Sequence, residues 1–379
     1  MDDRFDVVVI GGGPAGSVAA LSIAREGFSV ALLEKQAFPR ETLCGDLLSG
    51  DAADSIGRLG IDSYFRSLSP SPLTIFTLLT GGNRRVSTPL GATAFGVKRG
   101  EFDSMCLDAA RVEGVTVIQP AEVLGIEGNR DGFVVRYRID RQTALVRTPW
   151  VIGAYGRSSP LDRHLSRRNA GARTGFTGVK FHVPSGMLRD LRKEEVAVAL
   201  GPGMYGSVHH VGDETATVCF FERRTKGDPP SVERLWDLAH MNPGFARILT
   251  PRVLTFFLKT PIYGTGNLFF GRRETVEGGV LMVGDSAGVM APLSGDGVGA
   301  ALRQGILLGK LFADERANRR GREALVQTYH RESERLFRGR NRRALLRQRL
   351  ALSKTLRPLV SPLLALAPGL LAPPAFDAR

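Results

Sequence analysis

Gly11, Gly13 and Gly16 stand in a GxGxxG spacing between the apolar run 5–10 and a helical pattern that Gly27 ends. Each glycine has its own task in such a spacing: a tight turn, close approach of backbone to a pyrophosphate, and close packing of helix on strand. Phosphates favour the helix start because its first amides lack partners and the macrodipole is positive there. Pro14 and Ala15 open that helix against the same ligand. Glu34, followed by Lys35, ends the next apolar run. A carboxylate at that point accepts ribose hydroxyls and disfavours a 2′-phosphate, so the site suits FAD or NAD better than NADP. A second glycine-rich stretch, 278–299, reads as a strand delivering Gly284 and Asp285, a proline-containing loop, and a helix start at Gly295, Gly297 and Val298. That order suits a bulky isoalloxazine, whose ribityl hydroxyls need an acceptor and whose pyrimidine edge needs backbone donors.

The substrate chemistry is less sharply written. His209 and His210 are adjacent on an expected strand, 204–211, and alternate side chains of a strand leave by opposite faces, so only one of them can reach a given ligand. Histidine, with a pKa near ~6.5, can give or take a proton beside a phenol or enol. Tyr205 shares the face of Ser207 and His209, and Cys44 is a candidate redox thiol. No His, Cys or acidic spacing fits a metal site, and no GxSxG or HExxH string occurs, so metal and serine chemistry are not expected. Phe256, Phe257, Leu258, Leu268, Phe269 and Phe270, with expected loops at 65–72 and 228–231, suggest a hydrophobic tunnel for an aromatic, polyketide or isoprenoid molecule.

The elements that must hold these residues follow from apolar periodicity. The start of the chain reads as a complete βαβ unit, 42–59 as mostly helical, and 73–88 as two strands about a Gly81-Gly82-Asn83 turn. A helix over 98–113 leads to a strand at 115–119, then a meander over 123–127, 133–139 and 145–154. Alternating strands dominate 174–257, interrupted by a helix at 231–241, and the late glycine cluster opens a helix at 297–312. The implied fold class is α/β with two interleaved domains. A dinucleotide-binding domain takes 1–70, 95–170 and 272–330, a β-sheet substrate domain takes 71–94 and 171–271, and a basic helical and apolar tail takes 331–379.

Composition bounds the function. With 379 residues, 43% hydrophobic and 23% charged, the chain can bury a core and is no peptide hormone or lone DNA-binding module. Three cysteines, Cys44, Cys106 and Cys219, are too few to staple it, so a reducing, cytoplasmic setting without disulfides is expected. No signal-peptide pattern opens the sequence, and its greasiest stretch, 350–372, is broken by Lys354, Arg357 and three prolines, so no spanning helix is expected. The net charge of +13 is concentrated: 314–349 holds twelve arginines against five acids. Nucleic acid is therefore not the expected partner. A solvated helix face is the plain reading of that stretch, and peripheral membrane contact through the tail the sharper one.

Three strings together resemble the flavoprotein superfamily of para-hydroxybenzoate hydroxylase-type monooxygenases, geranylgeranyl reductases and flavin-dependent halogenases. They are GxGxxG with Glu34, PRxxxCGD at residues 39–46, and GDSAG…PLSGDGVG at residues 284–299. The Cys44-Gly45-Asp46 string is most similar to the reductase-like branch, where it lies beside the flavin. The resemblance implies a glutathione-reductase-like, Rossmann-type FAD domain. It implies that Asp285 binds the ribityl or pyrophosphate, that residues 295–298 face the pyrimidine edge, and that Arg40, Arg99 and Val123 lie near the cofactor.

Departures from the family pattern matter as much. Hydroxylases carry an Asp-Gly pair where this chain has Tyr155-Gly156, so the electron source is open between NAD(P)H, a partner flavin reductase, a ferredoxin and the substrate itself. Trp150 and Trp236 are the only tryptophans, so a halogenase WxWxIP string cannot be present. The reductases' YxWxFP string appears as Tyr205-Gly206-Ser207-Val208-His209-His210. The expected activity is FAD-dependent monooxygenation of a hydrophobic substrate, by hydroxylation or epoxidation. The alternative is geranylgeranyl-reductase-like reduction of a carbon–carbon bond, with halogenation behind both and a flavin-bearing carrier-docking role as the non-enzymatic option.

Overall fold

The computed structural model describes residues 2–80, 84–129, 132–168, 175–224, 231–266, 268–318 and 321–353. A six-stranded sheet runs in the order Val276–Glu277, Val280–Met282, Trp150–Gly153, Val7–Ile10, Val30–Leu33, Thr116–Ile118. All its pairings are parallel except that of Val276–Glu277 with Val280–Met282. Strands covered on both faces need apolar residues at every position, which is why Val7–Ile10 and Val30–Leu33 show no alternation. Val7, Val9, Val30 and Leu32 pack on the helices Pro14–Arg25, Arg99–Val112 and Gly297–Asn318. Val8, Ile10, Ala31 and Leu33 face a four-stranded sheet, where they meet Phe133, Val135 and Tyr137. That sheet is the meander Glu122–Asn129, Gly132–Ile139, Gln142–Thr148, extended by Asp2–Arg4.

The third sheet has eight strands: Tyr263–Thr265, Phe176–Pro184, Thr215–Arg223, Met204–His210, Glu195–Gly201, Ser71–Thr80, Arg84–Gly96 and Leu47–Leu48. Here alternation reappears, because the two faces meet different layers. Phe181, Ala197, Val208, Val218 and Phe220 pack on the helices Ser231–Met241, Pro243–Ile248 and Pro251–Phe257. Phe76, Val196, Val198, Tyr205 and Phe221 look the other way, toward the parallel sheet. The long helix Arg322–Leu352 clamps the assembly. Tyr329 donates its hydroxyl proton to the Met282 carbonyl, Arg340 reaches Asp51 and Asp296, and Ala351 and Leu352 join the apolar cluster of Phe76 and Val198.

Several expectations are corrected. Residues 145–154 are not one strand but the end of Gln142–Thr148 and the whole of Trp150–Gly153, in different sheets; Pro149 donates no N–H, and Thr148 Oγ1 accepts from Trp150 N at 3.2 Å across the break. The stretch 42–59 is helical only over Gly50–Arg58, since Asp46 takes φ +55° and Leu47–Leu48 joins the large sheet. Residues 65–72 are no loop: the helix Asp62–Ser67 runs almost into the strand Ser71–Thr80. Two short helices at Pro243–Ile248 and Pro251–Phe257 were not foreseen, although each opens with proline, whose fixed φ and missing N–H suit a first turn. The Gly81-Gly82-Asn83 turn, the loop 228–230 and the apolar tail from 354 lie outside the described residues. Among the described residues no helix is long and apolar enough to cross a membrane.

Candidate functional site

A cavity of about 540 Å³ lies between the parallel sheet and the eight-stranded sheet. Gly11, Gly13, Pro14, Ala15, Glu34, Lys35, Arg40, Cys44, Gly45, Arg99 and Val123 border it, as do Gly284, Asp285, Gly295, Gly297 and Val298. Gly16 does not, and its role is packing: a Cβ there would lie 1.9 Å from the Gly11 carbonyl oxygen. Gly11 adopts φ +109°, and a Cβ would meet the Ala154 oxygen at 2.4 Å, so this turn admits only glycine. The helix Pro14–Arg25 has no side-chain cap and no acid in its first turn, which leaves its amides facing the cavity.

Glu34 is held from behind. Its Oε2 accepts from Gly12 N at 2.7 Å and its Oε1 from Gln36 N at 2.9 Å, leaving lone pairs for a diol. Arg40 lies over the Phe38 ring at 4.6 Å, with Nη1 3.5 Å from Asp103 Oδ2, and its buried Nε has no hydrogen-bond partner. Arg99 makes two bonds to Asp103, at 2.7 and 3.1 Å. Burial opposes the Arg99 charge, but Asp103 and Cys44 hold its pKa well above the ordinary value. At the late glycine cluster, Gly284 donates to Gln304 Oε1 at 2.7 Å, and nothing lies within 4 Å of a Cβ built on Gly297. Uncapped amides, a buried guanidinium Nε that has no hydrogen bond and only a 3.8 Å ion pair to Glu34 Oε1, and an open glycine edge fit a dinucleotide carrying a ring system.

On the facing sheet Tyr205, Ser207 and His209 point into the cavity from the strand Met204–His210. Burial pushes the Tyr205 hydroxyl pKa up and that of His209 down to about 4, an effect on His209 that nearby Asp46 partly offsets. The neighbouring His210 leaves by the other face, where its Nδ1 meets Ser185 Oγ at 2.9 Å. It takes no part in the cavity wall, so the strand's pleat removes it as a candidate.

One group of residues escaped the sequence reading. Asp46, fully buried, accepts four bonds: Arg99 N at 3.2 Å and Lys180 Nζ at 3.0 Å on Oδ1, His182 Nε2 at 2.8 Å and Thr217 Oγ1 at 2.9 Å on Oδ2. Burial opposes its charge, but His182 and Lys180 together hold the carboxyl below the ordinary range. Lys180 also donates to Glu41 Oε2 at 2.7 Å. Burial alone would lower its pKa; the two carboxylates raise it instead. Glu41, Asp46 and His182 bring ligand-type atoms within 4.8 Å of one another, a grouping that no local spacing announces. The Lys180 ammonium bonds both carboxylates there, so the positive charge this cluster needs is already supplied by the chain. Cys44, two residues before Asp46, is thereby fixed at the cavity rim, while Cys106 and Cys219 are buried away from solvent and their pKa values are raised by burial.

A family model described as "FAD binding domain" matches residues 4–343. The chain belongs to that FAD-binding family. FAD is its cofactor, and the protein is a flavoprotein oxidoreductase. Its sequence is 27% identical to a menaquinone reductase of Mycobacterium tuberculosis over 82% of this chain and 77% of that one. It is also 27% identical to digeranylgeranylglycerophospholipid reductase 1 of Methanococcoides burtonii, over 87% and 79%. The fold is similar to that of a triple mutant of the flavin-dependent brominase Bmp2, with a TM-score of 0.81, 20% identity and coverage of 99% and 96%. In this flavoprotein, Glu34 would take the adenosine ribose, the helix start at residues 13–15 and Arg40 the pyrophosphate, Asp285 the ribityl chain or the pyrophosphate, and residues 295–298 the pyrimidine edge.

Proposed function

We propose that the protein uses FAD to reduce a carbon–carbon double bond of an apolar substrate. The observation that carries this reading is the far wall of the cavity. There Phe76, Val196, Val198, Phe221, Leu268 and Phe270 continue the cofactor crevice, while the cationic lining residues Lys35, Arg40, Arg99 and Arg157 all lie outside the strands of the eight-stranded sheet. A wall of this kind excludes water and offers no counter-charge to an anionic substrate. The two reductases aligned over more than three-quarters of both chains support reduction ahead of oxygenation.

Bound in the crevice, FAD supplies the two electrons at its ring. The chain supplies position and a proton. Tyr205, its pKa raised by burial, holds its proton at neutral pH, and His209, with a pKa near 4, stays neutral and offers one donor and one acceptor nitrogen. Cys44 borders the same space. Tyr155, at the place of the hydroxylases' aspartate, accepts from Arg167 Nη1 at 3.2 Å and is pushed up to about 12, chiefly by burial. It gives a nicotinamide no carboxylate to dock on, which favours a partner flavin reductase as electron source.

Monooxygenation is the second reading, supported by Tyr205 and His209 among the lining residues, whose side chains carry hydrogen-bonding groups suited to a phenol or enol. Photoreduced, FAD-loaded protein incubated with geranylgeraniol and with a short-chain menaquinone separates the two. A mass gain of 2 without oxygen, kept by the menaquinone after its quinol is reoxidised in air, supports reduction of a carbon–carbon double bond, and a gain of 16 only in air supports monooxygenation. Unchanged substrates under both conditions would remove both readings for these probe classes.

A further inference from the structure

The strand Met204–His210 divides its side chains between two layers. Met204 and Val208 join the helix-side core, and a Cβ on Gly206 would lie 2.6 Å from Phe245. Tyr205, Ser207 and His209 face the cavity. At ~3.3 Å per residue, this row extends for about 13 Å. Tyr205 is 3% exposed and His209 1%; the Tyr205 hydroxyl has no hydrogen-bond partner, and the His209 ring nitrogens meet none in good geometry, the Asp46 backbone being their one polar neighbour close enough to favour the proton. The Tyr205 ring is held in place by stacking on Phe221, at 5.1 Å and 20°. Everything else on this wall that the substrate reading invokes is apolar.

A hydrocarbon chain laid along the row would leave these buried polar groups without partners, which is unfavourable. Tyr205 keeps the tyrosine of the reductase-like YxWxFP string, and the other two positions of the row depart from it, with Ser207 for the tryptophan and His209 for the phenylalanine.

We propose that Tyr205, Ser207 and His209 form a recognition row for oxygen, selecting an apolar substrate that carries a phenol, enol or quinone oxygen over a bare hydrocarbon. The inference rests on the reading of the cavity as an apolar substrate site. Tyr205 donates to a carbonyl or accepts from a hydroxyl, and neutral His209 can do either, so both oxidation states of a quinone–hydroquinone pair are served.

The test is calorimetric titration of FAD-loaded protein with 4-hexylphenol and with hexylbenzene, which differ by one oxygen. The expected result is at least tenfold tighter binding of the phenol, with the preference falling to within threefold in Tyr205→Phe and His209→Leu variants that retain FAD. Equal affinity of the native protein for both probes would overturn the recognition row and leave the apolar site standing. A preference that survives both substitutions would overturn it as well. Binding of neither probe would remove the apolar-site reading, and this inference with it. If one variant loses FAD, the other reads the preference alone.

Discussion

Asp46 and Lys180, 134 residues apart in the chain, meet as an ion pair of 3.0 Å with both side chains wholly buried. The pair joins the loop that carries Cys44 to the eight-stranded sheet, and so fixes the distance between the cofactor half of the cavity and the substrate half. A buried pair is a weak source of net stability, but breaking one leaves a charge uncompensated. Lys180→Met is expected to destabilise the protein by about 3–5 kcal/mol in urea unfolding, and adding Asp46→Asn to recover part of that loss. A loss under about 1 kcal/mol for Lys180→Met would show that the carboxylates are neutralised some other way.

The pH dependence follows from the directions of the shifts. Asp46 is depressed from 3.8, so its contribution is full above that value and is lost as pH falls through its lower folded pKa. Lys180 is raised from 10.5, so its contribution is full below that value and is lost as pH rises through its higher folded pKa. His209 behaves differently. With its pKa taken from 6.5 to about 4, the unfolded chain binds the extra proton between those values, and stability falls as pH drops through them. His209→Leu is expected to lose less stability than the native protein between pH 6.5 and 4, by up to about 3 kcal/mol. Parallel pH–stability curves would contradict the buried neutral imidazole.

Gly16 reports on the cofactor end. A methyl group there would press on the Gly11 oxygen at 1.9 Å, forcing apart the helix and strand that frame the pyrophosphate site. Gly16→Ala should be purified with less than a tenth of the native flavin content, read from absorbance. Gly186→Ala, where nothing lies within 4 Å, should keep it in full.

Glu34 carries two backbone bonds besides its expected ribose contacts. Glu34→Ala should weaken FAD binding roughly 10–100-fold, the equivalent of one or two charge-assisted hydrogen bonds, as measured by quenching of flavin fluorescence. An unchanged affinity would place the adenosine elsewhere.

The residues that border the cofactor end of the cavity were legible in the sequence because their physics is local. A turn that only glycine can make, amides opening a helix and a carboxylate closing the next strand all lie within the first 34 residues, and the late cluster repeats the same kind of signal over 278–299. The parallel sheet was legible for a similar reason, since strands buried on both faces are apolar throughout. The substrate half was not. Period-two alternation shows that His209 and His210 part company but not which of them meets the cavity, because that depends on which layer packs on which face. Nor does any spacing join Asp46 to Lys180, His182 and Thr217, which lie 134, 136 and 171 residues away along the chain. Contacts of that kind are set by how one sheet docks on another, and only the tertiary structure decides them.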